Sequence, residues 1–358
     1  MIVDFLPTTD PRWEALVNEV PHDAYHLPQY LQVTARYEDG EPAAFLAREG
    51  SCFCLIPLLI RRLPEALTAP PDWRDVKSPY GYAAPLFRGD ASWIDKALDT
   101  FTRESQNRNI VSAFLCMHPL LTVPPNLASH GEVVKHGETV YVDLSPTEEA
   151  LWSQTRERFR SYIGKLQRSG FQARFDDWSA YSEFISIYGQ TMARLHADPF
   201  YCFPVQYFHD LRAALGPRLH FCAVVDSRGE LASGALLTET QGIVQYHLSG
   251  TADRFFTNSP SKMMLHEIRL WAKRQGHKVL HLGGGLGARA DSLFHFKTGF
   301  SPLRSDFMAY HLVCDQNKYA FLCRQTESDV LDDEYFPQYR RSLIHAPQPD
   351  EPAYSVRP

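Results

Sequence analysis

The fold is decided by the stretch 232–302, in which residues 233–249 read SGALLTETQGIVQYHLS. Two apolar runs, Ser233–Thr238 and Ile243–Ser249, flank a turn at Glu239–Gly242. Runs of this length on either side of a Gly-containing turn predict a β-hairpin. We therefore expect an antiparallel pair of strands at the start of the stretch.

Alternate residues of the second strand face opposite sides of the sheet. Val244, Tyr246 and Leu248 form an apolar face that is expected to meet a helix. The other face carries three polar residues, which are Gln245, His247 and Ser249. This polar face is predicted to form one wall of a cleft.

A helix and a third strand follow the hairpin. Apolar residues recur at helical spacing between residues 261 and 275, and Gly276 follows the last turn. A strand is predicted at Lys278–Leu282, and the three glycines after it, Gly283–Gly285, carry no side chains. A backbone or an extended substrate can therefore approach this point closely.

Four short motifs in this region resemble, in the same order, the C-terminal half of the Fem family. They are Tyr246–Thr251 (YHLSGT), Trp271–Gly276 (WAKRQG), His281–Gly285 (HLGGG) and Phe296–Phe300 (FKTGF). Fem proteins are peptidyltransferases that take amino acids from aminoacyl-tRNA and have a tandem GNAT (N-acetyltransferase) fold. The motifs equally resemble the FemAB-like GNAT acyltransferases. The resemblance extends over about residues 145–305.

The order hairpin, strand, helix, strand also occurs in the first half of the chain. Strands are predicted at Ala43–Glu49 and Cys52–Ile60, a helix at Trp93–Arg108 and a further strand at Ile110–Met117. Together with the resemblance, this repeat predicts an α/β protein with mixed sheets. Its two tandem domains are expected to be GNAT-like, that is, acyl-CoA N-acyltransferase-like.

The domain boundary is placed after a predicted strand at Thr139–Leu144, because Ser145 and Pro146 then begin a new helix. The N-terminal GNAT-like domain is predicted at 1–144, and the C-terminal GNAT-like domain, which carries the site, at 145–315. Residues 316–358 are acidic and rich in proline, and we expect this C-terminal extension to be partly disordered.

The composition is typical of a globular protein with two domains: 358 residues, 44% hydrophobic and 22% charged. No apolar run approaches the roughly 20 residues of a membrane span, and the N-terminus has no signal-peptide pattern. We therefore expect a cytoplasmic protein without a membrane span. No metal-ligand spacing, phosphate-binding loop or dinucleotide fingerprint is present, so no metal and no resident cofactor are expected. The sequence does not predict the oligomeric state.

A formal charge of −6 argues against a nucleic-acid coat protein, but positive charge is concentrated locally. Between residues 154 and 174 only one acid, Glu157, accompanies six basic residues. These are Arg156, Arg158, Arg160, Lys165, Arg168 and Arg174. The run is either a solvated helix face or a stripe that meets phosphates, such as those of tRNA.

Coenzyme A users of the GNAT fold cradle the pyrophosphate in a glycine-containing loop at a helix start. The corresponding segment, residues 252–260, reads ADRFFTNSP and contains no glycine. Asp253 would repel a diphosphate, and Pro260 lacks a backbone N–H. The sequence therefore favours aminoacyl-tRNA over acyl-CoA as the donor, with acyl-CoA as the alternative.

Lys297 is the position that the Fem resemblance places at the aminoacyl end of the donor. A positive charge there would stabilise the oxyanion that forms when the ester carbonyl is attacked. The alternative is that its stem only covers the rings of Phe294 and Phe296.

Transfer to an amine requires a group that takes or relays a proton. His247 and Asp291 are predicted to be catalytic in this sense, with His295 as a further candidate, although the resemblance also implies substrate-assisted transfer without a protein base. Further residues are predicted to bind substrate. They are Tyr80, Tyr82, Arg160, Arg194, Tyr201, Tyr246, Ser249, Gly284, Gly285 and His295.

The predicted function is transfer of an aminoacyl group from aminoacyl-tRNA to an amine. The acceptor is a small molecule or peptide, namely a peptidoglycan precursor or a specialised metabolite. An acyl-CoA-dependent N-acyltransferase is the first alternative. The second is a non-catalytic binding protein on the same fold, which is favoured if the aromatic residues around 294–300 fill the cleft.

Overall fold

The computed structural model describes residues 1–326 and 335–341, and in them thirteen strands form one mixed sheet with helices on its faces. The first half contains β1 Ile2–Pro7, α1 Pro11–Val17, α2 Pro28–Thr34, β2 Glu41–Glu49, β3 Cys52–Arg62, β4 Arg74–Lys77, β5 Leu86–Arg88, α3 Ala91–Asn107, β6 Ile110–Cys116 and β7 Glu132–Asp143. The second half contains α4 Glu148–Gln154, α5 Glu157–Arg168, β8 Gln172–Phe175, α6 Tyr181–Arg194, α7 Val205–Leu215, β9 Leu219–Val225, β10 Leu231–Thr240, β11 Ile243–Thr251, α8 Pro260–Arg274, β12 Val279–Gly283, α9 Ser292–Lys297, β13 Arg304–Val313 and α10 Gln316–Cys323.

The sheet repeats one pairing pattern in the two halves. Its order is β1-β2-β3-β4-β6-β13-β7-β12-β11-β10-β9-β8, with β5 paired to β3. The pairs β4–β6 and β11–β12 are parallel, and the remaining pairs are antiparallel. Each half therefore consists of antiparallel strands followed by one parallel pair, and the predicted α/β class with mixed sheets is confirmed.

The two halves exchange their last strands. β7 leaves the first half and pairs with β12 of the second, whereas β13 leaves the second half and pairs with β6 of the first. β7 and β13 also pair with each other. The two halves thus share one continuous sheet.

The predicted domain boundary falls just after β7 and stays a prediction, as do the three domain ranges. The disorder predicted for the end of the extension lies outside the described residues.

The central hairpin forms as predicted, but its second strand contains a β-bulge. Leu236 pairs with Leu248 and the next residue, Leu237, pairs with Tyr246, so His247 is the extra residue. The bulge turns Leu248 to the face opposite Val244. The prediction that Val244, Tyr246 and Leu248 share one face is therefore wrong for Leu248.

Helix α8 forms because its apolar stripe has a sheet face to cover. Met264, Ile268 and Ala272 are fully buried in one core with Val244 and Leu280. On the other face, a second core contains residues of α1, α2, α6 and α7 and joins the two halves. The two cores pack against β11 from both sides and so hold it in a defined position.

Candidate active site

The parallel pair β11–β12 opens partway along its length. Its register covers only Ile243–Gln245 against Val279–His281, although β11 continues to Thr251. In the first half, the parallel pair β4–β6 is hydrogen-bonded as far as Ser78, whose N–H donates to the carbonyl of Phe114 at 2.8 Å. The second half therefore has a gap between parallel strands beyond Gln245.

A cavity of about 710 Å³ lies at this gap and is lined by both halves of the chain. Gln245, His247 and Ser249, which were predicted to form a polar wall, all line it, together with Tyr246 and Leu248. The prediction that the three polar residues share one face is wrong for Ser249, because the bulge turns it to the face of Val244. Most of the other predicted site residues also line the cavity. They are Lys297, Asp291, Tyr80, Tyr82, Tyr201, Tyr246, Gly284 and Gly285.

Lys297 is a buried ammonium group in the cavity wall. The short helix α9 carries it, and its Nζ donates a hydrogen bond of 2.6 Å to the carbonyl of Gly284. Within the described residues, no carboxylate lies within 4 Å of it. Burial lowers the pKa of Lys297 to about 8, although the charge of Asp291 opposes this shift. A buried cation without an ion pair is costly and is a functional-site candidate when it faces a cavity.

Asp291 fixes the loop that precedes Lys297. One carboxylate oxygen accepts the N–H of Phe294 at 2.8 Å and caps α9, and the other accepts the N–H of Leu286 at 2.9 Å. Asp291 thus connects the start of α9 to the glycine-rich segment. Its predicted role in proton transfer stays a prediction.

The three glycines at and just after the end of β12 are required by backbone conformation and close approach. Gly283 has φ +74°, and a Cβ at Gly285 would lie 2.1 Å from the carbonyl oxygen of Arg289. A Cβ at Gly284 would lie 3.0 Å from the carbonyl oxygen of Glu138. Side chains at these positions would therefore force the loop off β7 and move Lys297.

His247 is enclosed by tyrosines. The hydroxyl groups of Tyr25 and Tyr207 lie 3.4 Å from its two ring nitrogens, and the ring of Tyr80 lies 5.7 Å away. Burial lowers the pKa of His247 to about 4, so the imidazole is neutral near pH 7. It can accept a proton only weakly, and its catalytic role stays a prediction.

Three predicted site residues lie outside the cavity. Arg160 donates to the carbonyl groups of Ser153 and Thr155 and so satisfies the end of α4. Arg194 pairs with Asp253, and its guanidinium stacks on the ring of Phe256 at 4.7 Å. His295 is exposed on the outer side of α9. These placements do not support contact between the three residues and a ligand in this cavity.

The structure also brings together a buried polar network that no sequence pattern had indicated. The carboxylate of Asp23 accepts hydrogen bonds from His118 Nε2 at 2.8 Å and from the amide of Gln245. The amide oxygen of Gln245 accepts from His281 Nδ1 at 2.7 Å. The network ties the first half to the last paired rung of β11–β12, where the strands begin to separate.

A second unexpected pair lies on the first-half wall of the cavity. Glu38 and Lys77 form a salt bridge, and Glu38 also accepts the N–H of Tyr80 at 2.7 Å. The partners are 39 residues apart and come from a loop and a strand end, so no local pattern could have indicated the pair.

Helix α5 presents a basic face beside α8 and α9. Phe159, Ile163 and Leu166 are buried, whereas Arg158 and Lys165 are exposed and, in the described part of the chain, have no carboxylate within 4 Å. Three cationic groups extend this face toward α9, along α5 and to the first turn of α8. They are Arg156, Arg168 and Lys262. Arg156 donates a hydrogen bond to Thr298, Arg168 is exposed, and the ammonium of Lys262 lies 4.5 Å from the ring centre of Tyr162.

The segment between β11 and α8 has the features expected from its lack of glycine. Asp253–Asn258 form a short 3-10 turn, Ser259 takes φ +55°, and α8 begins at Pro260. Pro260 removes the backbone N–H at the first position of α8, and the preference for aminoacyl-tRNA over acyl-CoA stays a prediction.

Residues 1–326 and 335–341 contain no group of three or more His, Cys, Asp or Glu side chains that could hold a metal ion. In the same residues, every helix is too short or too polar to cross a membrane.

Residues 153–297 match the family model described as an acetyltransferase (GNAT) domain. No curated protein sequence matches the chain significantly. Among solved structures, FemX superposes with a TM-score of 0.69 at 14% identity, covering 89% of this chain and 99% of FemX. L-PGS from Bacillus licheniformis superposes with a TM-score of 0.55 at 12% identity, covering 88% of this chain and 96% of the L-PGS chain. A conserved protein of unknown function from Bacteroides thetaiotaomicron superposes with a TM-score of 0.57 at 10% identity, covering 87% of this chain and 100% of that protein's chain.

These matches confirm the tandem GNAT-like fold and the resemblance to FemAB-like GNAT proteins that the four motifs indicated. Nearly the whole of FemX and of L-PGS is covered, so the likeness includes both halves of the chain. At identities of 10–14% it establishes the fold and leaves the chemistry to the site.

Proposed function

We propose that this chain is an N-acyltransferase that transfers an aminoacyl group from aminoacyl-tRNA to an amine of a peptidoglycan precursor or a specialised metabolite. One observation supports the proposal most directly. The parallel pair β11–β12 opens after Gln245 and His281, and Lys297 lies buried in the cavity at that opening. The gap can admit an extended acyl donor, and the ammonium can meet its carbonyl group.

The proposed reaction needs no resident cofactor. The acceptor nitrogen attacks the ester carbonyl carbon and forms the C–N bond, while the carbonyl π pair moves to oxygen. The ammonium of Lys297 stabilises this oxyanion. When the C=O bond forms again, the bond to the ribose oxygen breaks, and the proton lost by the amine ends on that oxygen. The products are an amide and the free ribose hydroxyl, so atoms and charge balance.

The choice of tRNA as donor is supported by charge. Arg158 and Lys165 are exposed cations without partner carboxylates, and the face that they form lies beside α9. A phosphate backbone passing over α5 would place its 3′ end near the opening of the sheet. Phosphate contacts of this kind make affinity strongly dependent on salt.

An acyl-CoA donor remains the second candidate because residues 153–297 match a GNAT acetyltransferase model. The glycine-free turn before Pro260 opposes it. The non-catalytic alternative depended on aromatic residues filling the cleft. Phe294 and Phe300 instead pack in the core under α8, and neither lines the cavity.

Donor choice can be tested by ligand-dependent stability, since a ligand that binds the native state raises its melting temperature. The protein would be heated with tRNA carrying a non-hydrolysable 3′-aminoacyl amide, with the same tRNA uncharged, and with acetyl-CoA. We expect the charged tRNA to protect more than the uncharged tRNA, and acetyl-CoA to have little effect. Protection by micromolar acetyl-CoA alone would overturn the proposal in favour of the acyl-CoA alternative.

A further inference from the structure

Two hydrogen-bond donors from different halves of the chain meet over Gly283. A Cβ placed on Gly283 would lie 3.4 Å from the hydroxyl oxygen of Tyr82 and 3.5 Å from Nζ of Lys297. Tyr82 belongs to the loop after β4, whereas Lys297 ends α9. The missing side chain of Gly283 thus leaves a small space with a phenol on one side and an ammonium on the other.

Gly284 lies beside both donors. Lys297 Nζ donates to its carbonyl at 2.6 Å, and its backbone N–H is near enough to the Tyr82 phenol to oppose part of the rise in the pKa of Tyr82. The phenol of Tyr82 carries one O–H proton that it can donate. The ammonium of Lys297 has two further N–H groups.

The phenol also keeps its proton. Burial raises the pKa of Tyr82 above its usual value, so the group is a neutral donor across the physiological range. Its ring is held edge-on by Tyr25, His281 and Phe307, with ring centres 5.2–5.7 Å away. A donor fixed in this way pays little reorganisation when charge develops beside it.

We propose that the Tyr82 hydroxyl and the Lys297 ammonium form a two-donor oxyanion site, in which the donor's carbonyl oxygen packs against the Cα of Gly283 on the side where a Cβ would obstruct it. This inference rests on the proposed acyl transfer but holds for an ester or a thioester donor. Tyr82 becomes a catalytic residue supplied by the first half of the chain. The second half alone would then contain an incomplete site.

The opposing view is that Tyr82 only packs. Its aromatic neighbours are consistent with that view, and Tyr82→Phe would then be silent because the ring is retained. If the hydroxyl stabilises the oxyanion, Tyr82→Phe should lower kcat by about 10- to 10³-fold and leave KM for the donor within about threefold. Tyr310→Phe is the matched control, since it also removes a buried hydroxyl, one that lies outside the cavity and has no hydrogen-bond partner among the residues that the structure describes.

Gly283→Ala tests the space itself. The new methyl group would fill it, and kcat should fall at least as much as in Tyr82→Phe. Because alanine is strained at φ +74°, the control is Gly276→Ala, which takes φ +84° at the end of α8 with no atom within 4 Å of its Cβ. The control should share the loss of stability and keep its activity.

A second measurement does not depend on turnover. Acetic anhydride would acetylate Lys297 in the presence and absence of methylphosphonate, a small tetrahedral oxyanion, and mass spectrometry would follow the rate. We expect methylphosphonate to slow acetylation at least fivefold in the wild type, less in Tyr82→Phe and not at all in Gly283→Ala.

The two readouts separate this inference from the proposed function. If no donor is turned over but methylphosphonate protects Lys297 in the expected order, the anion site stands and the proposed function falls. If a donor is turned over with full dependence on Lys297, while Tyr82→Phe keeps kcat within twofold of the wild type, the two-donor site is overturned and the function stands. Equal protection of Gly283→Ala and wild type also overturns it.

Discussion

Acyl transfer by this protein should lose activity above about pH 8, because in the proposed reaction the ammonium of Lys297 stabilises the oxyanion. Burial lowers the pKa of Lys297 to about 8 from an ordinary value of 10.5. The charged fraction is then about 90% at pH 7 and about 10% at pH 9. We expect kcat to fall roughly tenfold for each pH unit well above 8.

The assay uses hydroxylamine as the acceptor, since its amine is neutral throughout this range and does not add an ionisation of its own. Product hydroxamate would be measured at saturating donor between pH 6.5 and 10. Lys297→Arg is the informative variant, because a guanidinium stays charged and the alkaline decline should disappear even if the rate at pH 7 is lower. Lys278→Arg, an exposed lysine outside the cavity, should keep the wild-type profile.

A profile that rises through pH 8 and then levels would refute this reasoning, because it would make neutral Lys297 a proton acceptor. The same pKa shift affects stability with a defined sign. The folded pKa is lower than the unfolded one, so between about pH 8 and 10.5 the unfolded state binds more protons and the free energy of unfolding rises with pH. At pH 7 the buried charge costs at most about 3 kcal/mol.

Three further outcomes follow from the same contacts. Lys297→Met should keep the packing of the side-chain stem, raise the melting temperature at pH 7 because the buried charge is gone, and lower turnover by about 10²–10³-fold without loss of donor affinity. Equal losses of turnover and donor affinity would instead make Lys297 a binding residue. Replacing Arg158 and Lys165 by glutamate should reduce the slope of log tRNA affinity against log salt concentration by about two. An unchanged slope would mean that the basic face of α5 is only solvated and does not bind tRNA. Asp291→Ala should cost about 1–2 kcal/mol of unfolding free energy, seen in urea titration, because the cap of α9 is lost, whereas Asp291→Asn should lose less.

Local pattern was sufficient for the elements that surround the site. The β10–β11 hairpin follows from two apolar runs and a turn, and α8 follows from its apolar stripe between Pro260 and Gly276. Lys297 was placed by a family resemblance, and the structure puts it in the cavity. The hairpin and α8 depend on residues close in sequence, which is why one sequence was enough to predict them.

The features that the sequence did not predict depend on distant pairing. The exchange of β7 and β13 joins residues more than 160 positions apart, and no alternation within either strand indicates a partner. The bulge at His247 depends on the register with β10, so the side of Leu248 could not be read from β11 alone. The Asp23 network combines residues from four segments, so it could not be predicted because it too depends on contacts between residues distant in sequence.

Photo-crosslinking of the donor's acyl group tests the central claim most directly, because it reports where that group lies. A tRNA charged with a diazirine-bearing amino acid would be irradiated with the protein, in parallel with coenzyme A carrying the same acyl group, and labelled peptides would be sequenced. The account predicts label from the tRNA donor on residues 246–249, 283–288 and 291–293 and on Lys297, which line the cavity at the opened pair β11–β12, and loss of that label when excess unmodified charged tRNA is added. Label confined to other surfaces, or label at these residues from the coenzyme A donor alone, would contradict it.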